Sequence, residues 1–170
     1  MSNHQEPKIY VLGEYVGGAS SPEHHVRGIL ELLNRHQIDP SMCTWTGDGA
    51  HYSGRGKTGF KMSNGLIMRA FERVLKLPPR GLPFTIRTAF KFKNSVYYSA
   101  SVIYSIMSKQ NFYVRPECPQ LIQSLQRWTL KRTSSQKSTD PYGHAIDALR
   151  YCVLPVIHKK FTPPARIRMY

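Results

Sequence analysis

Acidic residues are scarce in this chain. Ten Asp and Glu stand against 24 Lys and Arg over 170 residues, leaving a formal net charge of +14. Only four aspartates occur, at positions 39, 48, 140 and 147. Cysteine is also sparse: Cys43, Cys118 and Cys152 are odd in number and far apart. That pattern excludes a disulfide framework and zinc-ligand spacing, and fits reduced thiols in a cytosolic compartment. No apolar run approaches the roughly 18 residues of a membrane helix. The first twenty residues lack a basic stretch followed by an apolar core, so no secretory leader is expected. Gly56-Lys57-Thr58 invites a phosphate-loop reading, but the glycine required five positions earlier is His51.

What remains points to a folded, basic protein. Hydrophobic residues make up 41% of the chain and aromatics 11%, enough for a proper core. A charge excess of this size implies a polyanionic partner, most often nucleic acid. The expected organisation is one domain over residues 1–170, with loose tails at 1–7 and 158–170 and no internal repeat.

Along the chain, Ile9 to Val16 reads as a strand buried on both faces. Ser21-Pro22-Glu23 supplies a cap, a first-turn proline and an early acid for an amphipathic helix over 22–36. Asp39-Pro40 is a turn, and residues 42–46 form the next strand. This strand–helix–strand order predicts a βαβ crossover with the first two strands parallel. Further helices are expected at 66–77, 95–108 and 119–130, with the Tyr and Ile residues of the second in the core. Strands are expected at 84–93 and 112–115. Arg55, Lys57, Lys61, Arg69, Arg87, Lys91 and Lys93 are candidates for contact with DNA phosphates.

Two places could carry chemistry. Asp48 lies between Gly47 and Gly49 beyond the carboxyl end of a strand, where α/β proteins gather their sites; a plain turn is the alternative. Asp140-Pro141 reads as the cap and first residue of a helix on which Asp140, His144 and Asp147 follow one another at steps of four and three. Those steps place them within roughly 40° of one line on the helix surface. The stripe is a metal-binding edge or the polar shoulder of an ordinary helix. Capping is the stronger explanation of Asp140, with a ligand role second, and an ion pair to Arg150 at i+3 would explain Asp147.

His144-Ala145-Ile146-Asp147-Ala148-Leu149-Arg150-Tyr151 resembles the last motif of the nuclease domain of tailed-phage large terminase subunits. The resemblance runs back through Cys118 to Trp128, the 95–108 helix with Phe112 to Pro116, the Asp48 strand end and the Ile9 to Tyr15 segment. It covers roughly residues 8–156. It implies a ribonuclease-H-like α/β fold, with a mixed central sheet flanked by helices. The activity it implies is cleavage of concatemeric DNA during viral genome packaging, using two Mg²⁺ or Mn²⁺ ions held by carboxylates. By position Asp48 matches the second acidic motif and Asp147 the acid of the last. His144 matches a histidine three residues before that acid. The implied partners are double-stranded DNA and the rest of the packaging machinery: motor, portal and small terminase subunit. The resemblance also implies no membrane partner and, as the setting, the cytoplasm of an infected bacterial host.

The chain departs from the family in two ways. Gly143 stands where many relatives carry an acid, which leaves a role open for Asp140. The family's first acid lies on a hairpin strand ahead of residues 9–16, and no Asp precedes Asp39. The expectation is therefore that the first strands and the ATPase half are missing, with Glu14 a weak stand-in for the lost acid and cleavage impaired. The alternatives are an inactive basic DNA-binding module, or a fragment completed by a partner chain.

Overall fold

In the computed structural model of the protein the described residues are 8–18, 20–47, 64–89, 95–128 and 142–157. Among them are four short strands and five α-helices in mixed order, an α/β arrangement. The strands are β1 (Ile9–Val11), β2 (Trp45–Gly47), β3 (Ile86–Thr88) and β4 (Phe112–Val114). The helices are α1 (Pro22–Arg35), α2 (Asn64–Val74), α3 (Ser95–Ser108), α4 (Pro119–Arg127) and α5 (Gly143–Ile157). The chain divides into two compact units: residues 15–89 form one, and residues 1–14 with 90–170 form the other.

The 15–89 unit is a helix pair over a parallel strand pair. Ser21 caps α1 by accepting from the His24 backbone N–H at 3.2 Å, with Pro22 at the first helical position, as the sequence predicts. Glu23 at the start of α1 pairs with Arg73 at the end of α2. Its own backbone N–H and then the Arg73 guanidinium hold its carboxyl below the ordinary value. The core is aromatic. Trp45 stacks on Phe84 with centroids 4.8 Å apart, and Phe71 meets Trp45 edge-on at 5.1 Å and Phe84 at 5.3 Å. The Trp45 indole N–H donates to the Pro40 carbonyl at 3.0 Å, so its polar end is satisfied. Asp39 is the turn residue expected of it: its Oδ1 accepts from Ser41 N–H at 2.8 Å, which lowers its pKa.

Gly28 sits inside α1 because the Tyr15 ring lies on it. A Cβ there would fall 2.1 Å from Tyr15 Cε2. The same tyrosine hydroxyl lies 3.2 Å from His25 Nδ1. Among the described residues the buried His25 Nε2 has no hydrogen-bond partner.

The second unit packs α3, α4 and α5 around another parallel pair, β1–β4. Its core joins Ile103 of α3, Cys118 and Leu121 at the start of α4, and Ile146, Leu149 and Val153 of α5. Ile9, Val11, Phe112 and Val114 line the sheet side of this cluster. Burial is the first cause raising the Cys118 thiol pKa, with Glu14 and Glu117 adding to it. Helices α1, α2 and α3 all close on a non-glycine residue with positive φ: Gln37, Lys76 and Gln110. In each case the next backbone N–H reaches back five residues, as Ile38 does to Leu33 O at 2.9 Å.

Several sequence expectations change. Strand β1 pairs in parallel with β4, in the register Ile9↔Phe112, and β2 pairs with β3. The βαβ crossover is therefore β2–α2–β3, one element later than the spacing of the first two strands predicts. Nor is β1 buried on both faces: Tyr10 is 58% exposed while Ile9 and Val11 turn inward. On α3, Ile103 and Ile106 are core, but Tyr97, Tyr98 and Tyr104 lie outside. A helix at 3.6 residues per turn cannot bury apolar residues all round against one layer. Helix α5 begins at Gly143, and Asp140 and Pro141 lie outside the described residues.

Candidate functional site

Helix α5 carries the best-described candidates. Its buried side, Ile146, Leu149, Val153 and Leu154, faces the unit's core, which fixes the rotation of the helix. That rotation leaves His144 exposed in the first turn and Asp147 at the edge, its side chain 48% exposed. Arg150, only 3% exposed, completes the group. Its Nη1 donates to Asp147 Oδ1, and its Nε donates to Ser99 Oγ of α3 at 2.5 Å. Ser99 in turn donates within its own helix to the Ser95 carbonyl at 2.6 Å. The chain Asp147–Arg150–Ser99 thus links the edge of α5 to α3 through a buried guanidinium. Such a cation is tolerated in a core only when paired. The ion-pair reading of Asp147 is what the geometry displays.

Glu14 has a different employment. Its Oε1 accepts from Gln120 N–H at 2.7 Å and its Oε2 from Leu121 N–H at 2.9 Å. These are orphan donors of the first turn of α4, where the capping residue Cys118 makes no side-chain hydrogen bond. A carboxylate at a helix N-terminus also meets the positive end of the backbone dipole. Glu14→Ala should therefore cost about 1–2 kcal/mol, read as a lower urea midpoint with faster amide exchange in α4. An unchanged midpoint would mean that water caps the helix equally well.

At the other end of α4, Arg127 Nη1 donates to the Tyr142 hydroxyl at 2.7 Å, with its guanidinium 5.6 Å from that ring's centroid. This contact ties α4 to the residue that precedes α5.

Strand β2 ends at Gly47, and Asp48, the next residue, lies outside the described set. The strand end itself is pinned: Ala89 N–H donates to Gly47 O at 2.8 Å, and a Cβ on Gly47 would lie 2.3 Å from Asn64 Oδ1. Arg55, Lys57, Lys61, Lys91, Lys93 and Asp140 also lie outside the described residues. Of the remaining basic candidates, Arg69 is exposed on α2, and Arg87 is half-buried on β3 opposite Thr46.

Among the described residues no three His, Cys, Asp or Glu side chains gather into a metal-binding group. No helix among them is long and apolar enough to cross a membrane. Sequence reading passed over two tyrosines, Tyr10 and Tyr113, whose rings stack on the open side of β1–β4. The signal was present in the matching triplets Ile9-Tyr10-Val11 and Phe112-Tyr113-Val114. Comparison with protein-family models, curated proteins and solved structures finds no match to this chain.

Proposed function

We propose that this protein is the DNA-cleaving portion of a viral genome-packaging terminase, a metal-dependent endonuclease acting on double-stranded DNA. The observation that carries the reading is α5. It presents His144 and Asp147 one turn apart at the open edge of a helix whose opposite side is locked into the core. These are the residues of the terminase-like motif. The net charge of +14 supplies the attraction to a phosphate backbone.

The donors fit a hard divalent cation such as Mg²⁺ or Mn²⁺ in kind, being carboxylate and imidazole without thiolate. In number, the described residues fall short of a two-ion site. Asp48 and Asp140 are the proposed additional ligands. When bound, such ions would supply an activated water and neutralise the leaving phosphodiester oxygen. The chain's own contribution at α5 is positional: Arg150, anchored on Ser99, orients one carboxylate oxygen of Asp147.

The test is cleavage of supercoiled plasmid with Mn²⁺, comparing the chain with Asp48→Ala and Asp147→Asn. Each substitution should slow cutting by roughly 100-fold, since losing even an outer partner of a metal ligand costs 10–100-fold. Cutting that survives both changes would sink the assignment.

A second reading rests on the same geometry. Glu14 and Asp147 are both held by protein donors, as expected of a basic DNA-binding module that does not cut. Salt-sensitive DNA binding by a chain that never nicks plasmid would favour it.

A further inference from the structure

Tyr10 and Tyr113 are direct partners across the parallel β1–β4 ladder. Their rings stack with centroids 4.8 Å apart and planes 11° from parallel. The residues on either side of each, Ile9, Val11, Phe112 and Val114, turn to the core. The tyrosines therefore stand on the opposite face, 58% and 43% exposed. The alternation of a strand puts Lys8 and Arg115 on that face too, one before Tyr10 and one after Tyr113. Both are exposed, and Arg115 shares its charge with Glu117 at 3.3 Å. The ladder continues past the strands themselves, through Ile9 N–H to Asn111 O at 2.8 Å and Arg115 N–H to Val11 O at 3.1 Å. The paired backbone thus extends beyond both rings at either end.

We infer that this face is a stacking platform for the bases of single-stranded nucleic acid. Each tyrosine gives one ring face to its neighbour and keeps the other for a ligand. A base on each outer face, at van der Waals distance, extends the pair to a four-ring stack roughly 12 Å across. A flexible strand can place two bases in that way, while Lys8 and Arg115 meet its phosphates. Duplex bases cannot, because both faces of each are already covered by neighbours. Paired aromatics flanked by cations on a sheet are the means by which proteins hold single strands without reading sequence. The overall charge of +14 favours this polyanion over an ordinary protein partner. The inference requires no metal and no carboxylate, and so does not depend on the cleavage reading.

The experiment uses the full chain and a fluorescein-labelled oligothymidylate of about twelve nucleotides, followed by fluorescence anisotropy at fixed salt. Tyr10→Ser and Tyr113→Ser should each weaken binding about tenfold. Tyr10→Phe and Tyr113→Phe should bind as wild type, since the ring and not the hydroxyl is needed. Tyr104→Ser, at a tyrosine 74% exposed on α3, is the control and should change nothing. The inference is overturned if the double serine variant binds within twofold of wild type, or if Tyr104→Ser loses as much. It is equally overturned if wild type does not bind the oligomer, or if sedimentation shows a dimer that the double variant abolishes. Plasmid cutting and oligomer binding are read separately, so the failure of one does not decide the other.

Discussion

Asp147→Ala is expected to destabilise the protein by about 3 kcal/mol, a large change for an acid whose side chain is half exposed. The loss comes from what is left behind. Arg150 is 3% exposed, and Asp147 is the carboxylate paired with its guanidinium. Removing that partner strands a buried cation that keeps its Nε contact to the Ser99 hydroxyl but loses its counter-charge. A second substitution separates this cause from others. Arg150→Met on the Asp147→Ala background removes the stranded charge and keeps most of the volume, so it should recover most of the lost stability. Urea melts of the two single variants and the double form the cycle. If Asp147→Ala were neutral or stabilising, the carboxylate would not be serving Arg150. A purely metal-binding acid behaves in that way, because removing it relieves repulsion instead of creating it. Asp147→Asn retains an oxygen acceptor for Arg150, which is why cleavage is better judged with asparagine than with alanine.

The largest effect on stability should follow Phe71→Ala, at about 3–5 kcal/mol. Phe71 has no exposed surface and lies edge-on to both Trp45 and Phe84. Trp45 and Phe84 already stack on each other, so neither can swing into the vacated volume without losing that contact. Val26 and Ala70 are the other fully buried members of this core, with Ile29, Leu30, Ile67, Val74, Leu82 and Ile86 packed around it, so partial collapse of these side chains sets where in that range the cost falls. Near-ultraviolet circular dichroism should show it, because Trp45 reports the asymmetry of the cluster. Phe71→Leu should cost less, as more of the volume is kept. A Phe71→Ala protein that melts with wild-type midpoint and spectrum would refute the packing account.

Local elements were legible where local chemistry is sufficient. The Ser21-Pro22-Glu23 signature placed the start of α1, and Ser95 to Ser108 was helical over its predicted length. The Asp39-Pro40 turn followed from the habits of those two residues. The α/β class came from the alternation of such elements. Strand pairing was less accessible. β1 and β4 are about a hundred residues apart, and nothing in either triplet names its partner. Pairing is chosen by which apolar faces bury together, a property of the assembled core. Tyr10 shows the cost of this: a run of apolar residues looks buried on both faces until the packing layers are counted.

The candidate site divides in the same way. By itself the sequence determined the scarcity of acids, the basic charge, and the helical spacing that puts His144 and Asp147 one turn apart. It also left the Arg150 ion pair open as an explanation for Asp147, from the i+3 step alone. Only the tertiary structure decided that Arg150 is buried and anchored on Ser99 of α3, since the depth of a side chain depends on which helix covers it. Only the tertiary structure took Glu14 into the cap of α4, 106 residues further on. Orphan N–H donors at a helix start accept whatever carboxylate the fold brings near, and no local pattern records which one that is.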